Sequence, residues 1–184
     1  MKSLLAILLL SCAASTGAQA PAALAQFGWF AELAGACWSG RFPDGKTVHT
    51  QCYTTQFDRF LRGTATLAVD RDGRLERQFE GDSLFAVDRN SGRIVYFIWG
   101  SDGSHGRLEA SWLGDELAFP APSRKDPAQI AYRSVWRRLA PDAFEVRRER
   151  PAGAAWSTEF TVTYRKAPPA PIGDAAKGRG EPPS

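Results

Sequence analysis

The chain has 184 residues, of which 43% are hydrophobic and 23% charged, an ordinary balance for a globular protein and enough for one domain. Its net charge of +3 comes from 23 basic and 20 acidic residues that are interspersed along the sequence. A charge this small argues against a nucleic-acid-binding protein, so we predict no nucleic acid among its partners.

The first twenty residues have the pattern of an export signal. Lys2 precedes the apolar run Leu4–Leu10, and Ala18–Ala20 provides a small-residue cleavage site. The apolar run is too short to cross a bilayer, which takes about 20 residues, and no transmembrane segment is predicted. We therefore predict a signal peptide over residues 1–20 and an exported protein, either periplasmic or secreted.

Two alternatives for the processing of this leader stay open. Pro21 is unfavourable directly after a cut, and Ala23–Ala25 offers a second site that would place cleavage as late as residue 25. The stretch Leu9–Cys12 resembles a bacterial lipobox, in which Cys12 would carry a lipid anchor. The oligomeric state is not predicted.

Ahead of the first strand, Phe27, Phe30 and Leu33 recur at three-residue spacing, and Gly35 follows as a stop signal. This pattern predicts a short helix with its apolar side facing a core. Such a helix could plug one end of a barrel.

The stretch from Cys37 to Cys52 predicts a β-hairpin, because strand-like runs lie on either side of the turn signal Pro43–Lys46. A two- or four-residue loop places the two cysteines face to face, whereas a three-residue loop places them on opposite faces of the sheet. Export favours disulfides over free thiols, so we predict a Cys37–Cys52 bond and an even-numbered loop. A metal site built from these cysteines and His49 is the alternative, and it would need a fourth ligand.

The rest of the chain alternates apolar and polar residues in short runs separated by turn residues, which is typical of an all-β domain. At the turn Arg71–Gly73 we expect a three-residue loop that brings Ala65 opposite Phe79. The runs lie at Trp38–Phe42, Thr47–Tyr53, Phe60–Val69, Leu75 onward, Ser83–Val87, Arg93–Trp99, Arg107–Leu113, Glu116–Phe119, Ile130–Leu139, Ala143–Arg150 and Trp156–Tyr164.

These runs predict about ten strands joined mostly by short connections, as an antiparallel meander requires. The simplest arrangement of these strands, which leaves no sheet edge exposed, is an up-and-down barrel of about 8–10 strands over residues 27–166. A sandwich is the alternative. Residues 167–184 are rich in proline and glycine and are predicted to be a disordered tail.

The segment Phe30–Gly40, with a short helix leading into a tryptophan-bearing strand, resembles the opening of lipocalin-like (calycin) barrels, especially uncharacterised exported families of bacteria. Tyr132–Trp136 and the pair Tyr164 and Arg165 resemble their closing strands. Trp38 follows Gly35 by three residues rather than the two of the usual lipocalin motif. The resemblance implies a barrel whose interior holds a small apolar molecule.

Alternation along the strands predicts which side chains face that interior. Arg148 follows Phe144 and Val146 at two-residue steps, so it could hold a ligand carboxylate or extend to the rim. His49 would contact a ligand or be a hydrogen-bonded core residue. The predicted ligand-binding residues are Trp38, His49, Gln51, Trp136, Arg148 and Trp156.

The sequence predicts no catalytic residues, and we do not expect an enzyme. It has two histidines, no G-x-S-x-G motif and no cysteine expected to be free. Haem barrels of the nitrobindin type hold iron through a histidine in a late strand, but no histidine follows His105, so no cofactor or metal is predicted.

The sequence is therefore compatible with two functions. The first is an exported lipocalin-like protein that binds a small apolar or amphipathic ligand without catalysis. The alternative is an envelope structural or protein-interaction module whose barrel is filled. An interior cavity of about 300 Å³ or more would favour the first.

Overall fold

A computed structural model of the protein describes residues 22–167. The predicted signal peptide over residues 1–20 and the lipid-anchor alternative at Cys12 lie outside the described residues, whereas the late cleavage site at Ala23–Ala25 lies within them. The predicted disordered tail also lies outside them, except for its first residue, Ala167, which belongs to the last strand and pairs with Cys37. The barrel domain predicted over residues 27–166 lies within them.

Ten antiparallel strands form an up-and-down barrel, in which each strand pairs with the next and β10 pairs with β1 to close the wall. The all-β barrel prediction is confirmed. The strands are β1 (Ala36–Arg41), β2 (Thr47–Gln56), β3 (Phe60–Arg71), β4 (Arg74–Val87), β5 (Ile94–Gly100), β6 (His105–Leu113), β7 (Glu116–Pro122), β8 (Ile130–Ala140), β9 (Ala143–Ala152) and β10 (Ala155–Ala167).

A kinked 3₁₀ helix over Ala22–Leu33 packs its apolar side chains into the core at the end of the barrel near the β6–β7 turn, where the Trp29 indole N–H donates to the Asp115 carbonyl at 3.0 Å. With three residues per turn, Phe30 and Leu33 lie on the same side of the part that follows the kink, whereas Phe27 precedes it. Its kink at Gly28 has a φ of 54°, and a Cβ there would come within 3.3 Å of the Trp112 ring. The buried side chains of the helix are Leu24, Phe27, Phe30, Ala31 and Leu33.

The hairpin of β1 and β2 has the predicted register. Cys37 faces Cys52, and the two form a disulfide. The four-residue loop Pro43–Lys46 is stabilised by Asp44, whose carboxylate accepts hydrogen bonds from the backbone N–H groups of Lys46 and Thr47. The predicted even-numbered loop is therefore confirmed.

The predicted register of β3 and β4 is wrong. The turn has two central residues, Asp72 and Gly73, with φ angles of 55° and 83°, instead of the three expected. A bulge then leaves Gln78 unpaired, so that Phe79 faces Leu67 rather than Ala65. The interior face of β3 is unaffected, because the bulge lies on the other strand.

The outer face of β7, β8 and β9 has a network of ion pairs above a buried Val135, which is 0% exposed. The guanidinium of Arg147 lies 2.8 Å from both carboxylate oxygens of Glu116. Stems of long charged side chains can cover apolar wall in this way. The network consists of Glu116, Arg133, Arg137, Glu145, Arg147 and Glu149.

The pairing between β6 and β7 is short. The register joins three residue pairs next to the turn at Gly114 and Asp115, the last of them Ser111 with Ala118. Beyond that pair, β6 continues against β5 and β7 continues against β8. Beyond that pair no register pairs join His105–Ala110 of β6 to Phe119–Pro122 of β7, toward the end opposite the helix, although the two strands stay adjacent; we call this break in the hydrogen-bonded ladder the split.

Candidate functional site

The barrel interior has two parts of different character. Near the helix it is filled by aromatic rings, with Phe30 in contact with Tyr53, Phe85, Phe119 and Trp136. Further along lies a cavity of about 230 Å³. Its walls come from β4 to β8 and consist of Phe85, Tyr96, Ile98, Leu108, Phe119, Tyr132, Ser134 and Trp136.

The cavity is apolar except for three hydroxyl groups, on Tyr96, Tyr132 and Ser134. Within residues 22–167 these hydroxyls are neither hydrogen-bonded to the protein nor buried without a partner, so they face open space. Burial raises the pKa of Tyr96, with a further contribution from the nearby Tyr132. Its hydroxyl therefore stays protonated at neutral pH and can donate a hydrogen bond.

Arg148 lies at the rim of this cavity. It faces the interior opposite Ser134, and its guanidinium stacks on the Tyr132 ring at 3.9 Å from the ring centroid. Its Nε lies 2.9 Å from a Glu159 carboxylate oxygen, an ion-pair distance without the alignment of a hydrogen bond. In the part of the chain that the structure describes, its terminal nitrogens have no hydrogen-bond partner, so they can still receive an anionic group.

His49 and Gln51 belong to a polar cluster on the opposite side of the interior, on β2 and β10. His49 Nδ1 lies 2.7 Å from the hydroxyl of Tyr164, and the Tyr53 hydroxyl donates to the Gln51 side-chain oxygen. Burial lowers the pKa of His49 to about 4. The imidazole is therefore neutral at physiological pH, and its Nδ1 can accept a hydrogen bond from the Tyr164 hydroxyl.

The lowered pKa of His49 should make the free energy of unfolding depend on pH. The pKa of His49 is about 4 in the folded protein against 6.5 for an unperturbed histidine, so the unfolded chain binds more protons between these values. The free energy of unfolding should therefore decrease as the pH falls from 6.5 toward 4. Urea unfolding at several pH values should show a shallower decrease for His49→Asn, which keeps an acceptor for Tyr164 but does not titrate. Equal slopes in the two proteins would contradict this assignment.

The structure places the predicted ligand residues in different surroundings. Trp136 lines the cavity, and Arg148 lies at its rim. Trp38 faces the interior but is only 2% exposed, and its indole N–H donates to the carbonyl of Leu33 at 3.1 Å. It therefore packs under the helix and does not border the cavity.

The prediction that alternation directs Trp156 inward is wrong. A bulge at Glu159 inserts one residue into β10, so Thr158 faces Glu149 and the alternation reverses before Phe160. Trp156 consequently lies on the outer face, 37% exposed, with the Arg133 guanidinium 4.1 Å from its ring centroid.

Sequence reasoning missed most of the cavity wall. Tyr96, Ile98 and Leu108 occupy inward positions of β5 and β6 that alternation alone can identify. Alternation does not show which inward side chains border empty space, because that depends on the side chains that reach across from other strands. Tyr132, two residues before Ser134 on β8, could have been found in the same way.

The described residues hold no candidate metal centre and no candidate membrane-spanning helix. Across residues 22–167, no group of three or more His, Cys, Asp or Glu side chains is arranged to hold a metal ion. His105 is an exposed residue at the start of β6. The described segment also has no helix of the length and apolar character needed to cross a membrane.

The fold and the interior together define a class, a closed antiparallel barrel of ten strands with a helical plug and a small internal cavity. This architecture is compatible with a lipocalin-like barrel. No protein-family model matches the sequence, and a search of curated proteins finds no similar one.

Proposed function

We propose that this protein is an exported, non-catalytic, lipocalin-like barrel that binds a small apolar or amphipathic molecule in its interior. The observation that carries the proposal is the cavity of about 230 Å³, which has apolar walls and three hydroxyls that make no hydrogen bond to residues 22–167. Ligand sites usually combine a largely apolar wall with a few polar groups that orient the ligand. The disulfide is consistent with export, because such bonds persist in oxidising compartments.

The volume of the cavity limits the size of the ligand. At about 230 Å³ it does not reach the roughly 300 Å³ that was expected to favour ligand binding and at which typical ligand pockets begin. It is larger than the roughly 150 Å³ that holds benzene in an engineered cavity. We therefore propose a ligand about the size of one or two small rings, with its polar group near Tyr132, Ser134 and Arg148.

A second candidate is an envelope structural or interaction module with a filled barrel. The observation in its favour is the dense aromatic packing beneath the helix, where Trp136, Phe144 and Tyr164 stack with centroids 5.3 and 4.8 Å apart. A rigid interior of this kind supports a role on the outer surface. This candidate predicts that the cavity binds no small molecule.

The two candidates can be separated with para-fluorophenol, a small ring with one hydroxyl, followed by fluorine NMR. We expect saturable binding to the wild-type protein and a loss of affinity of at least about tenfold in Leu108→Trp, because the larger side chain occupies the cavity. Glu109→Trp on the outer face of the same strand is the control and should bind as the wild type does. An unshifted fluorine resonance with the wild-type protein would support the filled-barrel candidate instead.

A further inference from the structure

The split between β6 and β7 has a chemical cause in the sequence. Leu113 and Glu116 flank a two-residue turn and form a hydrogen-bonded pair. Because such pairs recur at every second residue, the even-numbered residues of β7 direct their N–H and C=O groups toward β6. The next two of these positions are Pro120 and Pro122. A proline has no N–H group to donate, so the ladder stops after Ala118.

The same prolines leave the other side of β7 intact. Odd-numbered residues of β7 direct their backbone groups to β8, where Leu117, Phe119 and Ala121 pair with Trp136, Ser134 and Tyr132. On β6, the backbone groups of Arg107 and Glu109 point toward the split, whereas Leu108 and Ala110 pair with β5. The two prolines thus each remove one N–H donor from the seam with β6, keep their carbonyl acceptors, and leave the pairing with β8 unaffected.

The split lies directly outside the cavity. Leu108 on one edge and Phe119 on the other both line the cavity wall. The helix blocks one end of the barrel. At the other end the interior is narrowed by the contact of Phe42 with Phe160, whose ring centroids are 5.3 Å apart, and by Arg148 stacked on Tyr132. The seam is therefore the side of the cavity where the wall lacks ladder pairs, while the end near Phe42 and Phe160 is narrowed by side chains.

We propose that the split between β6 and β7 is the entrance through which the ligand reaches the cavity, and that Pro120 and Pro122 keep this entrance from closing. The inference rests on the proposed ligand binding and adds its route. In this proposal Pro120 and Pro122 control access to the cavity and need not contact the bound ligand.

A covalent staple tests the entrance. Glu109→Cys and Pro120→Cys in the full chain would be joined with a short bismaleimide, and exchange of para-fluorophenol would be followed by fluorine NMR. We expect the exchange rate to fall at least about tenfold, with a much smaller change in Kd, because entry and exit slow together. The control staple joins Thr66→Cys to Glu80→Cys, which face each other across the paired strands β3 and β4, and it should change neither quantity.

A second variant needs no cross-linking. Pro120→Val with Pro122→Val restores both N–H donors, so β6 and β7 should pair further and ligand exchange should slow in the same direction. Amide hydrogen exchange reports on the seam without any ligand. If the seam opens, the amides of Arg107 and Glu109 in the wild type should exchange much faster than those of Leu108 and Ala110, because each can be held only by a single bond to a proline carbonyl. In the valine variant these two amides and the new amides at positions 120 and 122 should be protected together.

The outcomes separate the two proposals. Binding that the staple fails to slow would overturn the entrance and leave the ligand site standing, since the ligand would then enter at the open end. An absence of binding to the wild type would remove the ligand site and the entrance with it. Equal protection of Arg107 and Leu108 amides in the wild type would show that the seam is closed, which also overturns the entrance.

Discussion

Replacing Phe30 with alanine should lower the free energy of unfolding by about 3–5 kcal/mol, the usual cost of deleting a buried phenylalanine. Phe30 is 0% exposed and lies at the centre of the contact between the helix and the barrel. Its ring packs edge-on against Tyr53, Phe85 and Trp136 at centroid distances of 5.9, 5.0 and 5.5 Å. The rigid strands around these rings leave little room for the cavity to collapse, so the loss should lie toward the upper part of this range.

Phe57→Ala is the matched control, because Phe57 is 77% exposed in the turn between β2 and β3. Surface substitutions of this kind usually change stability by less than about 0.5 kcal/mol. Urea unfolding monitored by circular dichroism gives both values. A loss below about 1 kcal/mol in Phe30→Ala would mean that the helix does not close the barrel as described.

The double substitution Cys37→Ser and Cys52→Ser should lower the free energy of unfolding by about 3 kcal/mol. The disulfide joins residues 15 positions apart, and in the chain-entropy model the bond restricts the unfolded chain over that loop. It also fixes the register of the hairpin, because a slip by one residue would turn His49 and Gln51 away from the interior. Thermal unfolding should show a clear decrease in Tm, and reduction of the wild type should give a similar decrease.

The control for the disulfide is the neighbouring cross-strand pair Ser39 and Thr50, which occupy the same face of the same hairpin and share a 3.2 Å hydrogen bond. Replacing both with alanine should cost about 1 kcal/mol or less. If the double serine variant proved no less stable than this control, the bond would contribute nothing beyond an ordinary surface contact.

The sequence predicts those parts of the fold that depend on local patterns. The hairpin register followed from Cys37, Cys52 and the turn between them, and the helix followed from its three-residue apolar spacing. Both wrong assignments involve a bulge, at Gln78 in β4 and at Glu159 in β10, and each bulge adds one residue to its strand. The register of β3 and β4 is also shifted by its turn, where Asp72 and Gly73 form a two-residue loop that the Asp-Gly sequence favours.

The sequence predicts which side chains face the interior of the barrel, but it does not predict where that interior is empty. Alternation correctly directs Trp136 and Arg148 inward, but the position of the cavity depends on where rings from several strands leave a gap. Gly28 shows the same limit, since nothing local to it indicates that Trp112 packs against its backbone. Both are properties of distant residues brought together by the closed wall.

The burial of Leu24 bears on the proposed removal of an N-terminal leader. Its side chain is 1% exposed in the core formed by the helix and the strands. A signal peptidase that cut after residue 25 would discard this apolar anchor before the barrel assembles, whereas a cut after Ala20 would retain it. Where the leader is removed, the earlier scissile bond is therefore the one that yields a fully plugged protein.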